Sequence, residues 1–194
     1  MCVVILESIV TTLDANGKIN IAPMGPVVTG DLTDPQFTLR PFTSSTTYQN
    51  LSATNRAVIH VTEDVWLFAQ AAVDAIDPDK AESLVQRIDG GWAPLKDCHR
   101  WFAVEIESTS GDEPRIDMHC KVVQSGVVRP FFGFNRAKHA VIETAILATR
   151  THLLDADDIA QQIANLTPLI DKTAGSDEHK AFDFLCETIQ QRLA

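Results

Sequence analysis

KINIAPMGP, residues 18–26, starts as an alternating strand, with Ile19 and Ile21 on one face, and then places two prolines and a glycine within four positions, Pro23 to Pro26. Proline has no N–H to give to a ladder and glycine weakens one, so the run predicts a strand that loses its pairing over Ala22–Gly25. Two readings follow from that break. One is an edge strand carrying a β-bulge. The other is a strand whose freed N–H and C=O groups meet a flat ligand, with Gly25 allowing close approach.

Working outward, residues 3–12 are rich in β-branched side chains, and Asp14-Ala15-Asn16-Gly17 supplies residues that tolerate positive φ, so strands one and two form a hairpin. Turn residues at Gly30-Asp31 and Asp34-Pro35 precede a short strand at 37–42, and AVIHVT at 57–62 alternates as a fourth. WFAVEIEST at 101–109 and residues 115–123 pair as strands five and six, whereas Thr62-Glu63-Asp64 opens a helix through about Ala75. Within 77–100, AESLVQRI reads as a short helix in a long connection punctuated by Pro78, Gly90-Gly91 and Pro94.

From Asn135 the apolar period changes to that of helices. Asn135 caps a helix to about Thr149 with Val141, Ile142, Ala145 and Ile146 inward; Ile159, Ile163, Leu166 and Ile170 mark a second, which Pro168 kinks or restarts. A third follows Ser176 as N-cap and buries Phe182, Leu185, Ile189 and Leu193. The expected organisation is mainly β with α: a strand-rich body over 1–134 and a helical C-terminal region over 135–194.

The 194 residues carry a net charge of −10, which argues against non-specific nucleic-acid binding and against an anionic membrane surface as partner. Residues 1–62 hold three Lys/Arg and four Asp/Glu, so an anionic ligand meets least repulsion in this nearly neutral third. Cys2, Cys98, Cys120 and Cys186 are scattered without a C-x-x-C pair, as expected for buried free thiols in a reducing compartment. No apolar run approaches the ~20 residues of a membrane helix, and no basic stretch precedes the apolar start, so a cytoplasmic protein is expected. Cys98-His99 and His119-Cys120 do not read as a metal site, because neighbours on a strand point to opposite faces. Glu105 and Glu107 read as a solvated strand face, and no nucleophile elbow, Walker A or Rossmann glycine motif occurs.

RPFTSSTTYQNL, residues 40–51, sets Arg40 beside Thr43, Ser44, Ser45, Thr46 and Thr47 at the start of a short helix. Hydroxyls and backbone N–H groups at a helix start, next to a guanidinium, suit a phosphate monoester. The same cluster also reads as a polar turn capping a helix that contains Tyr48 and Leu51. Taken together, NIAPMGP and R-P-F-x-x-S-x-T-Y-x-N-L in this order, with Thr11-Thr12, Asp14-Ala15-Asn16-Gly17 and FNRAKHAVIETAILATR at 134–150, resemble the FMN-binding split-barrel family related to flavin reductases, in a poorly characterised subgroup of it.

The resemblance implies a six-stranded antiparallel split β-barrel that forms a homodimer with FMN at the subunit interface. It places Ser45, Thr46 and Thr47 at the phosphate with Arg40 as its cation, and Asn20, Ala22, Pro23, Met24 and Gly25 along the isoalloxazine edge. Arg136, at the head of a helix and after an Arg129-Pro130-Phe131 that echoes Arg40-Pro41-Phe42, reaches the flavin or the partner subunit, or is a surface arginine. The expected function is an FMN-dependent oxidoreductase exchanging hydride or electrons with a nicotinamide or another small molecule; a non-catalytic flavin-binding or structural dimer is the alternative. Residues for the phosphate-ester substrate of the pyridoxamine-phosphate-oxidase branch are not found.

Overall fold

The computed structural model describes residues 4–31 and 34–194; Met1, Cys2, Val3, Leu32 and Thr33 lie outside the described residues. The chain divides into two compact units, Met1–Thr62 with Asp77–Pro130, and Glu63–Ile76 with Phe131–Ala194. The first contains β1 (Val4–Ile5), β2 (Ser8–Leu13), β3 (Ile19–Met24), β4 (Val27–Gly30), β5 (Pro35–Leu39), α1 (Thr46–Thr54), β6 (Arg56–Val61), α3 (Pro78–Leu84), β7 (Arg100–Ser110) and β8 (Asp117–Val127). All eight strand segments form one antiparallel sheet in the order β1-β4-β5-β8-β7-β6-β2-β3.

Eight segments make six strands. Ile5 faces Val27 and Ser8 faces Met24, three residues further along one strand and three back along the other, so β1-β2 and β3-β4 are one hairpin in one register with a corner in the middle. At the corner Leu6 N–H donates to the Pro26 carbonyl at 3.1 Å. A Cβ on Gly25 would stand 2.7 Å from Cγ2 of Ile5, so the corner needs glycine for close approach. The bend lets the two halves of the hairpin serve opposite neighbours: β2 pairs with β6, while β4 pairs with β5. Pairings β6-β7, β7-β8 and β8-β5 then complete a barrel ring.

The predicted loss of pairing over Ala22–Gly25 is therefore corrected. The β2-β3 ladder runs unbroken from Leu13↔Ile19 to Ser8↔Met24, and only Gly25 and Pro26 fall outside it. Pro23 is tolerated because β3 is the last strand in the order, and its missing N–H costs nothing on the open side.

Even-numbered residues of β2 turn into the barrel. Val10 joins Phe37, Leu39, Ala57, Ile59, Phe102, Val104, Met118 and Cys120 in one buried cluster, which Leu51 of α1 closes. Odd-numbered residues face outward and are covered by the 77–100 segment. The expected helix AESLVQRI is instead Pro78–Leu84, capped by Asp77, because Val85 turns extended and bridges Leu95. A small hairpin, Ile88↔Trp92, follows over Gly90 and Gly91, both at positive φ. This cover is fastened by polar bonds: Thr11 Oγ1 donates to Ala93 O at 2.8 Å, and the Leu95 N–H donates to His60 Nε2 at 3.0 Å.

His60 is fully buried, and Nδ1–H donates to Ile9 O at 2.9 Å while Nε2 accepts from Leu95, which holds the ring neutral. Burial lowers its pKa from 6.5 to about 4, partly opposed by the Ile9 bond. Between those values the unfolded chain binds the proton more strongly. The stabilisation from a neutral His60 is thus full above pH 6.5 and lost as pH falls toward 4. Urea unfolding from pH 7.5 to 4 is expected to lose about 3 kcal/mol to this group, and His60→Gln should flatten that part of the slope.

The second unit holds α2 (Val65–Ala72), α4 (Arg136–Ala148), α5 (Ala156–Thr173) and α6 (Ser176–Leu193). Residues 63–76, inside the 1–134 span read from the sequence as barrel, fall in this unit. Helix α4 touches α2, α5 and α6. Its fully buried face is accordingly Ala137, Ala140, Val141, Thr144 and Ala148, small residues that let three helices approach, while Ile142 and Ile146 are only half-buried. Asn135 caps α4 as expected, its Oδ1 accepting from the Ala137 N–H at 2.7 Å. Helix α5 passes through Pro168 without ending. Ser176 is the first residue of α6 and Gly175 precedes it, with the Gly175 N–H donating to Glu178 Oε2 at 2.8 Å. Phe182, Leu185 and Ile189 are buried, whereas Leu193 is exposed.

Candidate functional site

The two stretches singled out in the sequence meet at one side chain. Asn20 Nδ2, on β3, donates to Thr47 Oγ1 of α1 at 3.1 Å and to Thr12 Oγ1 of β2 at 3.3 Å. Asn50 Nδ2, one turn further along α1, donates to the same Thr12 oxygen at 3.0 Å. Thr12, Thr47 and Asn50 are buried. A satisfied buried polar network of this kind fixes one arrangement of α1 on the hairpin, because each unpartnered member would cost ~1–3 kcal/mol. Thr12 and Asn50 stand in the stretches that carry the resemblance but the sequence assigns them no site role, because the bond that joins them links positions 38 residues apart.

Helix α1 begins where β5 leaves the sheet. The Ser45 Oγ accepts from the Tyr48 N–H at 3.1 Å and donates to the Phe42 carbonyl at 2.8 Å, so Ser45 is the N-cap and its hydroxyl is committed to the fold. Among the described residues nothing accepts the N–H groups of Thr46 and Thr47, the first two of the helix. The Ser44 and Thr46 side chains are exposed beside them, and residues 35–62 contain no Asp or Glu. Two free N–H donors, two hydroxyls and a helix dipole make a donor set that suits a phosphate.

Arg40 does not point its charge freely at this set. Its Nε donates to Asp117 Oδ1 at 2.7 Å in a half-exposed pair. A second guanidinium is anchored on the turn before α1: Arg115 sits 4.0 Å over the Phe42 ring, and residue 115 bridges residue 42 through the backbone. Arg115 is a candidate cation that the sequence reading missed, since the contact joins positions far apart in the chain.

On β3 the side chains of Asn20, Ala22 and Met24 share the face toward the barrel interior, where Met24 packs on the core. Pro23 sets the phase of the backbone. With its missing N–H on the open side, Ile19, Ile21 and Pro23 turn their polar groups outward, whereas Asn20, Ala22 and Met24 bond β2. The open edge thus offers the carbonyls of Ile21 and Pro23 and the N–H of Ile21, a residue absent from the expected set. Gly25 forms the corner beyond them.

On another face of α1, Tyr48, Leu51, Ser52 and Asn55 line a cavity of about 390 Å³ with Ile106 and Met118. None of the motif residues on β3 contributes to it. Arg136 is exposed at the head of α4 in the second unit. His119 Nδ1 lies 3.2 Å from Thr38 Oγ1 and its Nε2 lies 2.9 Å from Ser110 Oγ. Cys98, Cys120 and Cys186 are free; burial pushes their thiols up to about 11, 12 and 11, so none is a reactive thiolate at neutral pH. Among the described residues no helix is long and apolar enough to cross a membrane.

Residues 6–129 match the family model described as protein of unknown function (DUF447), N-terminal domain, and residues 135–187 match the model described as protein of unknown function (DUF447). The chain is similar to an FMN-bound DUF447-family protein from Methanosarcina mazei, with 24% identity, coverage of 95% of this chain and 94% of that one, and a TM-score of 0.80. It is also similar to the styrene monooxygenase flavin reductase of Pseudomonas putida S12 (18% identity, 62% of this chain and 77% of that, TM-score 0.52). A third likeness is to the flavin reductase HpaC complexed with NADP+ (14%, 66% and 82%, TM-score 0.54). These likenesses show the split-barrel fold.

Proposed function

The chain belongs to the DUF447 family, and on that footing we propose that it is an FMN-binding flavoprotein that passes hydride or electrons between bound FMN and a nicotinamide or other small-molecule partner. One observation carries the reading: the Asn20–Thr47 bond sets the open edge of β3 beside the unpartnered N–H groups of α1. That is a hydrogen-bonding edge next to an anion site, the two recognition features of a phosphorylated flavin. The M. mazei protein, which the chain resembles over nearly its whole length, is described as FMN-bound, and two further similar structures are named flavin reductases.

In this reading Thr46 and Thr47 hold the phosphate with their backbone N–H groups, and the Ser44 and Thr46 hydroxyls add donors. Ser45 keeps the helix start in place, and Arg115, or Arg40 if it leaves Asp117, balances the charge. The outward groups of Ile21 and Pro23 complement the pyrimidine edge of the ring, with Asn20, Ala22, Met24 and Gly25 shaping the strand beneath it. FMN, when bound, supplies the hydride acceptor, so the protein needs no general base of its own. A second copy of the chain completes the flavin site as a homodimer, with Arg136 available to the flavin or to the partner, and the protein acts in the cytoplasm.

The purified protein is expected to be yellow, or to take up FMN stoichiometrically in a titration. Anaerobic NADH or NADPH should then bleach the flavin absorbance. Protein that binds no FMN would overturn the reading, whereas FMN binding without reduction by any donor would favour a non-catalytic flavin carrier.

A further inference from the structure

The cavity of about 390 Å³ beside α1 stands apart from the donor set at the helix start, since Ser44, Thr46 and Thr47 do not line it. Its size lies within the ~300–1,000 Å³ of small-molecule sites. Two backbone features shape it. Asn55 ends α1 at a φ of 57°, in the left-handed region, and its carbonyl accepts the Ile106 N–H at 2.9 Å, which ties the helix end to β7. Just beyond, the β7-β8 register shifts between Ile106 and Ser108, a bulge at which the strand bends, and Thr109 and Ser110 then form the wall that the β7-β8 hairpin contributes.

The lining is apolar below and polar without charge above. Leu51 and Met118, both buried, and the half-buried Ile106 form the floor. Tyr48, Ser52, Asn55 and Thr109 supply three hydroxyls and an amide around it, and among the described residues none of these four side chains has a hydrogen-bond partner. Glycine would serve the left-handed turn at 55 as well; asparagine also brings an amide to the rim. Charged residues make up 22% of the chain, so composition alone would put about two among ten lining positions, and there are none. A charged ligand would leave water for a surface with no counter-charge, whereas an uncharged one loses little and gains apolar contact and hydrogen bonds.

We propose that this cavity binds an uncharged ring compound bearing a hydrogen-bonding group, with the ring on Leu51, Ile106 and Met118 and the polar group among Tyr48, Ser52, Asn55 and Thr109. The site goes beyond the flavin reading and does not depend on it: α1 turns Thr47 and Asn50 to the β2-β3 hairpin, and Tyr48, Ser52 and Asn55 to the cavity.

Tyr48 is the only tyrosine of the chain, so fluorotyrosine labelling puts one fluorine resonance at the cavity wall. Benzamide is expected to shift that resonance saturably, with a Kd on the order of 1 mM. Benzoate and benzylammonium, the same ring with a charge, should bind at least about tenfold more weakly. Ser52→Trp, at an exposed helix position, sets an indole in the cavity and should abolish the benzamide shift. Asn55→Gly keeps the left-handed cap and removes the amide, so it should weaken benzamide by about three- to tenfold with the unfolding midpoint unchanged. Absence of a saturable benzamide shift, equal binding of either charged analogue, or wild-type affinity in either variant would overturn the site. FMN uptake is read separately on the same samples: colourless protein that still binds benzamide defeats the flavin assignment alone, and coloured protein that ignores benzamide defeats this site alone.

Discussion

Thr46→Glu should weaken FMN binding by about a thousandfold and leave the fold intact. Thr46 is the exposed first residue of α1, and the Ser45 cap that starts the helix does not involve its side chain. A carboxylate in the first turn complements the helix dipole, worth ~0.3–1 kcal/mol in favour of the folded state. The same charge occupies the place of the phosphate. Two charge-assisted N–H contacts at ~1.5–3 kcal/mol each are blocked and repulsion is added, so about 4 kcal/mol is lost, a factor near a thousand. Fluorescence titration with FMN measures it. Riboflavin, which lacks the phosphate, provides the discriminating control, and its weaker binding should shift little between wild type and variant. FMN affinity within tenfold of wild type would place the phosphate elsewhere.

Local chemistry was legible in the sequence where a single turn decides the outcome. Ser45 and Asn135 cap helices through their own side chains within three residues, and those helix starts follow from residue type; the helix expected from Thr62-Glu63-Asp64 to about Ala75 is shorter, Val65–Ala72, with Asp64 as its cap and no acid in its first turn. Six strands were legible too, because alternation survives the corner that cuts two of them into segments. The position of the break was not. Pro23 disturbs a ladder only if its nitrogen faces a neighbour, and which side of β3 stays open is settled by the return of β4 to β5, far along the chain.

Non-local contacts explain the other differences. Asn20 and Thr47 lie 27 residues apart and Arg40 and Asp117 lie 77 apart, so neither the network nor the occupied guanidinium leaves a local signature. In α4 the apolar period points to Ile142 and Ile146, but crowding by three neighbouring helices selects the alanine face. The 77–100 segment carries few apolar residues in any period because it serves as a cover, fastened through Thr11 and His60 rather than through a stripe of its own.

Lys138→Met should destabilise the helical unit by about 3–5 kcal/mol. Lys138 Nζ on α4 lies 2.8 Å from Glu63 Oε2, ahead of α2, and 3.8 Å from Glu178 Oε1 in the first turn of α6. The three side chains are 25%, 15% and 12% exposed, so water screens the group only in part. Methionine keeps the length and apolar stem of lysine, and packing is largely preserved. What changes is that two carboxylates remain in a poorly solvated shell without their shared cation. Glu178 cannot simply swing out, because its other oxygen accepts the Gly175 N–H that starts α6. For a chain of this size each kcal/mol corresponds to ~2–4 °C, so calorimetry should show the helical transition about 6–20 °C lower. Adding Glu63→Gln to Lys138→Met should restore part of the loss, because it removes one stranded charge. A double variant no more stable than the single would mean that the cost arises from packing instead.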